Sequence, residues 1–305
     1  MNLPEYATDL SHFVPGVMPS QTVPSIRDTP GASVATLLTA LDSFPYRAVH
    51  ALDVVDRTER AEFGAIVRER GLWLDFCVSR ALSNRKLSLS SADAANRLRA
   101  VETVVELIPH GVEQGARYLS LSSGTGHENE ADRPDAIARF AESLTAIIES
   151  LRTTATGLLI EPMDVFIDKR GSLGYAHEAL HLVRSLGAPD ADVRLICDTA
   201  HLRLNDETPE AMVAQGAECI AAIHLCNCCV DPSDPLYGDK HIRPGAPGVF
   251  DLDGFHRTLT EIAPRFAEPS RSIPVFIEYR NHGDPVDHLA YLATSLGQAL
   301  GCSIE

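Results

Sequence analysis

The C-terminal half of the chain contains four short apolar runs, each ending on a side chain able to bind a metal. They are Gly157-Leu-Leu-Ile-Glu161, Val193-Arg-Leu-Ile-Cys-Asp198, Ala221-Ala-Ile-His224 and Ile273-Pro-Val-Phe-Ile-Glu278. Runs that are continuously apolar, rather than alternating, mark parallel strands covered on both faces. A carboxylate or imidazole at the C-terminal end of such a strand is costly to bury unless something binds it. In a closed barrel of parallel strands those ends converge on one mouth, where active sites of that architecture lie. Glu161, Asp198, His224 and Glu278 meeting there would make a site for one divalent metal.

The rest of the chain alternates strand and helix. Strands are expected at His12–Met18, Tyr46–Val54, Leu72–Ser79, Tyr118–Ser122, Gly157–Glu161, Val193–Thr199, Ile220–Leu225 and Pro274–Tyr279. Helical patterns fill Thr58–Arg70, Ser91–Gln114, Arg133–Leu151, Ser172–Leu186 and Pro285–Leu300. The first of these stops at Gly71 and the fourth at Gly187, residues that commonly terminate helices. In Ser91–Gln114 the positions Leu98, Val101, Val105 and Ile108 form the expected core-facing stripe. Eight strands, each followed by a helix, make a closed α/β barrel, an architecture that needs about 250 residues. No linker or low-complexity segment divides the 305 residues, so residues 1–305 are expected to form a single domain.

Composition narrows the class. Hydrophobic residues make up 45% and charged residues 22%, the balance of a soluble globular protein. No apolar stretch approaches the ~20 residues of a membrane span. The segment Met1–Asp9 is polar and acidic, unlike a signal or transit peptide, and seven scattered cysteines suit reduced thiols; both point to a cytoplasmic protein. A formal net charge of −16 disfavours a nucleic-acid partner. The short basic cluster Arg80–Lys86 reads as a solvated loop. Cys226, Cys228 and Cys229 lack a second pair of zinc-type ligands and read as free thiols, with Cys226 on the strand face of His224. Gly124-Thr-Gly126-His127 is too short for a phosphate-binding fingerprint, and no Gly-x-Ser-x-Gly elbow marks a hydrolase.

Two connections are longer than usual: Ser79–Ser90, and Cys226–Phe250 after the seventh strand, the second expected to cover the mouth or carry ligands. With these included, the order Glu161, Asp198-Thr-Ala-His201, His224, Asp239-Lys-His241 with Arg243-Pro-Gly245, then Glu278 resembles the xylose-isomerase-like barrel superfamily. Its members include ketose 3-epimerases such as tagatose and psicose epimerase, hydroxypyruvate isomerase, inosose dehydratase and the AP endonucleases. The motifs cover roughly residues 157–280, and the strand–helix count extends the resemblance over nearly the whole chain. The resemblance implies a single (β/α)8 TIM barrel with Glu161, Asp198, His224 and Glu278 around one metal ion, with Glu161 and Glu278 also carrying protons on opposite faces of a substrate carbon. Two features depart from the family pattern. The first strand follows an extra N-terminal segment and contains Pro15, so substrate residues cannot be transferred from it. His50 also lacks the companion histidines that extra metals of the AP endonucleases require.

Donor chemistry makes a compatible demand. Three carboxylates and an imidazole suit Mn²⁺ first, with Mg²⁺, Co²⁺ or Zn²⁺ as alternatives. Such an ion would polarise the carbonyl of an α-hydroxyketone and stabilise the enediolate left by proton loss. The expected activity is therefore isomerisation or epimerisation of a keto-sugar or polyol-derived ketone. A lyase (a dehydratase or a 3-keto-glycoside-cleaving enzyme) could use the same first step, and an AP-endonuclease-like hydrolase is a remoter alternative. His201 is a candidate for a substrate oxygen, for orienting Asp198 or for a helix cap. Arg280 could hold a substrate hydroxyl or anion, or form a rim salt bridge, and His241 and Asp239 belong to the substrate loop. Only Arg280 and Arg243 suggest a phosphate site, which points to a non-phosphorylated carbohydrate. The expected partners are thus a small carbohydrate and no membrane, and a homo-oligomer is left open.

Overall fold

The strands of the computed structural model, which describes residues 9–187, 192–266 and 272–301, are β1 (Phe13–Val17), β2 (Ala48–Ala51), β3 (Trp73–Cys77), β4 (Tyr118–Leu121), β5 (Gly157–Ile160), β6 (Val193–Asp198), β7 (Ile220–Cys229), β8 (Gly238–Ile242) and β9 (Ile273–Glu278). The segment 1–8 and Cys302, which entered the reading of localisation, lie outside the described residues. Neighbours run β6-β5-β4-β3-β2-β1-β9-β7, and β6 pairs back onto β7, which closes the ring. All eight contacts of the ring are parallel. The protein is a single (β/α)8 TIM barrel, and each expected apolar run overlaps one of its strands.

The ninth strand is a departure from expectation. β7 runs past Leu225 to Cys229, and β8 returns antiparallel to it, with Asn227 opposite Ile242 and Cys229 opposite Gly238. The Asn227 side chain fastens the returning segment. Its amide donates to the carbonyls of Arg243 and Gly245 and accepts the Phe250 N–H. What reads as a long loop is therefore a hairpin standing on the barrel mouth.

Aspartates set several helix starts. Asp56 accepts the Glu59 N–H and opens the helix Arg57–Glu69; Asp93 and Asp284 do the same for Ala94–Gln114 and Pro285–Ala299. The helices Ala32–Ser43 and Pro209–Gly216, which carry weak patterns, and the strongly amphipathic Leu252–Ile262 were not among those expected. Within Ala94–Gln114 the expected stripe is rotated. Of the expected positions Ile108 is buried and Val101 and Val105 are partly buried against the core, but Leu98 is 59% exposed, and Ala100, Val104, Leu107 and Gly111 complete the buried face. The small residues win this face because a side chain at Gly111 would collide with the Phe76 ring of β3.

Inside the barrel, Met18, Ala48, Trp73, Tyr118, Leu159, Ile196, Ala222 and Phe276 form a packed plug. Gly16 on β1 makes room for the Phe276 ring, which a Cβ at that position would strike. That ring lies 5.6 Å from the His224 ring and 6.2 Å from the His50 ring, so the plug is the floor of the polar mouth. Each large apolar side chain buried there contributes ~1.5–3 kcal/mol relative to exposure, which fixes the floor rigidly. Among the described residues, no helix is long and apolar enough to cross a membrane.

Candidate functional site

Strand register brings the four sequence-derived candidates together. Asp198 pairs with His224 across β6 and β7, and Glu278 pairs with Cys226 across β9 and β7. Glu161 directly follows β5. His224 Nδ1 lies 3.0 Å from Glu161 Oε1, 3.5 Å from Glu278 Oε2 and 3.9 Å from Asp198 Oδ2. One donor atom from each of these residues falls within 4.8 Å of every other, an arrangement that could hold a metal ion.

Two of the carboxylates are anchored through one oxygen while the other points inward. Asp198 Oδ1 accepts the backbone N–H groups of Ala200 and His201, capping the helix Thr199–Leu204, and Oδ2 is left toward His224. Glu278 Oε1 accepts Gln21 Nε2 at 2.7 Å and lies 3.0 Å from His241 Nδ1; Oε2 faces His224. Such outer contacts fix ligand orientation in metal sites. The electrostatics also fit a cation. Burial alone would discharge His224, but Glu161 and Glu278 raise its pKa to about 10, so an imidazolium balances the carboxylates when no other cation does. Burial and the neighbouring Glu161 and Glu278 push Asp198 up to about 6 despite His201 and His224. Three carboxylates crowded this closely, with oxygens converging on one point, fit a divalent ion.

His201 and His241, the two other sequence-derived histidines, also reach the cavity. The backbone N–H of His201 is capped by Asp198, and its ring lies 3.3 Å from Asp164 Oδ2 and 4.0 Å from Asp239 Oδ2. Asp239 is buried, yet His201, His241 and Lys169 hold its pKa at about 2. Its Oδ2 lies 2.8 Å from Lys169 Nζ. Cys226 does not line the cavity. Its buried thiol packs behind β8, 3.6 Å from Asp239 Oδ1 and 3.7 Å from His241 Nδ1. The six described cysteines are free.

The cavity around this cluster measures about 650 Å³. Arg280 lines it and makes no ion pair among the described residues. Arg243 does not line it; the guanidinium stacks over the Tyr291 ring at 4.1 Å. Arg80 and Lys86, read above as a solvated loop, are instead part of the wall. Sequence reasoning passed over Gln21, Lys169 and Asp75; Asp75 Oδ2 lies 2.6 Å from Nδ1 of His50, the strand histidine noted above. His50 and Asp75 are register partners on β2 and β3, and His50 faces the cavity edge-on to His224. The polar residues within these apolar strands were a usable signal. Gln21 and Lys169 lie in connections whose course the sequence does not fix.

The same architecture occurs in solved structures. L-ribulose 3-epimerase matches with a TM-score of 0.70 at 19% identity, over 95% of this chain and 95% of that one. A D-tagatose 3-epimerase-like protein matches with a TM-score of 0.69 at 13% identity, over 95% and 98%. A family 2 AP endonuclease from Brucella melitensis matches with a TM-score of 0.63 at 15% identity, over 92% and 98%. At these identities the likeness is one of fold. No curated protein matches the chain in sequence. The model of the xylose isomerase-like TIM barrel family matches residues 38–292, and the chain belongs to that family.

Proposed function

We propose that the protein is a divalent-metal-dependent isomerase or epimerase of a keto-sugar or polyol-derived ketone, with Glu161 and Glu278 as the proton-transferring groups. The observation that carries this reading is the placement of the two glutamates on either side of His224. Ring order β5-β6-β7-β9 sets Asp198 and His224 between them, and each glutamate has an oxygen within 3.5 Å of His224 Nδ1. Two carboxylates approaching one point from opposite sides are what removal of a proton from one face of a carbon and delivery to the other requires.

Glu161, Asp198, His224 and Glu278 would hold the ion, Mn²⁺ by preference for this donor set. When bound, a divalent cation polarises a substrate carbonyl and offsets the negative charge that develops on its oxygen. Glu278 works from a fixed position, because Gln21 and His241 hold its outer oxygen. Among the described residues Glu161 has no comparable second clamp, and its carboxylate is shared with His224. His201, His241 and Arg280 line the cavity and would bind substrate oxygens. The L-ribulose and D-tagatose epimerase likenesses support a ketose as the substrate class.

The test is incubation of Mn²⁺-loaded protein with a panel of ketoses and 3-keto-glycosides in D₂O. Solvent deuterium beside the carbonyl, in sugars changed only in configuration or carbonyl position, is the expected result. An unsaturated or cleaved product would make the protein a lyase, and no exchange with any carbonyl sugar would remove the proton-transfer reading.

A further inference from the structure

The wall of the cavity is basic away from the glutamates. Arg80, Lys86, Lys169 and Arg280 line it, while Glu161 and Glu278 are the only carboxylate-bearing residues lining it among the described residues. This is unexpected in a chain with 42 acidic and 26 basic residues. Several arginines elsewhere pair with carboxylates: Arg60 with Glu113, Arg133 with Glu130 and Glu178, Arg184 with Glu218, and Arg194 with Asp192. Lys169 is matched by Asp239. Arg80, Lys86 and Arg280 have no such partner among the described residues.

These cations do not sit on a slack loop. Asn96 accepts the Ser88 N–H and donates to the Lys86 carbonyl, which pins the turn that follows Arg80. Ser90 Oγ donates to the Ser123 carbonyl and lies 2.8 Å from Ser172 Oγ. The segment 88–90 lies so close to Gly124 and Gly126 that a Cβ at either glycine would strike Ser88 or Ser90; Gly124 also has a φ of +68°. The Gly-Thr-Gly motif thus packs the Arg80–Lys86 connection into place. On another side of the mouth, the Arg280 N–H donates to the His241 carbonyl, which ties Arg280 to the hairpin. Fixed cations facing a polar cavity lose little entropy on binding an anion.

Resting on the ketose reading above, we infer that the substrate is an anionic sugar derivative, a polyhydroxy ketone whose far end carries a carboxylate or phosphate held by Arg80 and Lys86, while Arg280 meets its oxygens from the other side. A guanidinium presents paired donors matched to either group, and the neighbouring Ser79, Ser83 and Ser88 offer hydroxyls to the sugar chain. The cavity is large enough for a ketohexose extended by such a group.

The test is titration calorimetry of the Mn²⁺-loaded full chain with D-fructose, D-psicose and D-tagatose, each also as its 6-phosphate and as its C6 carboxylate. At least one configuration should bind one anionic form at least ~10-fold more tightly than its neutral form, and the identity of that form separates phosphate from carboxylate. The preference should shrink with added sodium chloride and fall below ~3-fold in Arg80→Met, with metal content and melting temperature retained, whereas Arg280→Met should weaken neutral and anionic forms alike. Lys86→Met should lower the preference by a smaller factor. Neutral sugars binding within ~3-fold of both anions, a preference that survives Arg80→Met, or no binding by any member of the panel would overturn the anion site. The ketose reading fails separately: its failure is a ligand that binds yet exchanges no deuterium with D₂O.

Discussion

His241 Nδ1 lies 3.0 Å from Glu278 Oε1, the oxygen turned away from His224, and Gln21 Nε2 reaches the same atom at 2.7 Å. One residue comes from the hairpin strand β8 and the other from the helix Pro19–Thr22 after β1, so Glu278 is oriented by two elements that share no sequence proximity. Losing either contact should leave the carboxylate in place but let it rotate. His241→Asn suits the site because Asn tolerates the positive φ of 50° found there. We expect His241→Asn and Gln21→Leu each to lower Mn²⁺ affinity or turnover by ~10–100-fold, the usual effect of removing an outer contact to a ligand. Metal titration followed by kinetics at saturating Mn²⁺ separates the two effects, and unchanged values in both variants would show that the clamp is idle.

Metal uptake should be coupled to protons. In the absence of metal His224 keeps its proton up to about pH 10, and the ion needs that nitrogen neutral. Affinity should therefore rise with pH, by about one log unit per pH unit between neutrality and pH 9. Below about pH 6 the dependence should steepen, because Asp198 also takes up a proton there. Elemental analysis should give about one ion per chain, lost with chelator and from Asp198→Ala. Calorimetry in buffers of different ionisation enthalpy reads the proton release directly; a pH-independent affinity, or two or three tight ions per chain, would contradict the assignment.

The barrel and its inward-facing ends were legible because both report through local pattern. Gly157–Ile160 and Ile273–Ile277 are unbroken apolar runs, and a charged residue closing such a run is costly to bury without a partner. β8 was illegible for the opposite reason. Gly238-Asp-Lys-His-Ile has no apolar face; its alternation is buried Asp239, exposed Lys240, buried His241, and Asp239 is buried against Lys169, a contact 70 residues distant in sequence. Arg80 and Lys86 look like surface charge until the Asn96 and Gly124 contacts fold their connection over the mouth. The face of Ala94–Gln114 was misread because Ala100 and Gly111, too small to register as apolar anchors, take the close-packed side.

Away from the site, His288 should make the fold sensitive to acid. It is buried on the helix Pro285–Ala299, its ring tilted against that of Tyr279 at 5.2 Å, with no partner for Nε2 among the described residues. Burial, with some repulsion from His282, lowers its pKa to about 4, against about 6.5 for a free histidine. The unfolded chain therefore takes up this proton first as pH falls, so the stability that neutral His288 permits above pH 6.5 is lost progressively down to about pH 4. Urea unfolding of the wild type and His288→Leu across that range should show the variant gaining relative to the wild type as pH drops. Parallel curves would mean that His288 is not the sensor.

The central claim is that Glu161 and Glu278 move the proton from opposite sides of one carbon. The most direct measurement is solvent exchange of each epimer of the substrate in D₂O with Glu161→Gln and Glu278→Gln, both at saturating Mn²⁺ so that weakened metal binding is removed from the comparison. Each variant should lose at least ~10² in overall turnover. Glu161→Gln should still exchange the proton of one epimer, and Glu278→Gln that of the other, without completing the inversion. Normal turnover in both variants, or loss of exchange from the same epimer in both, would contradict the opposed-glutamate account.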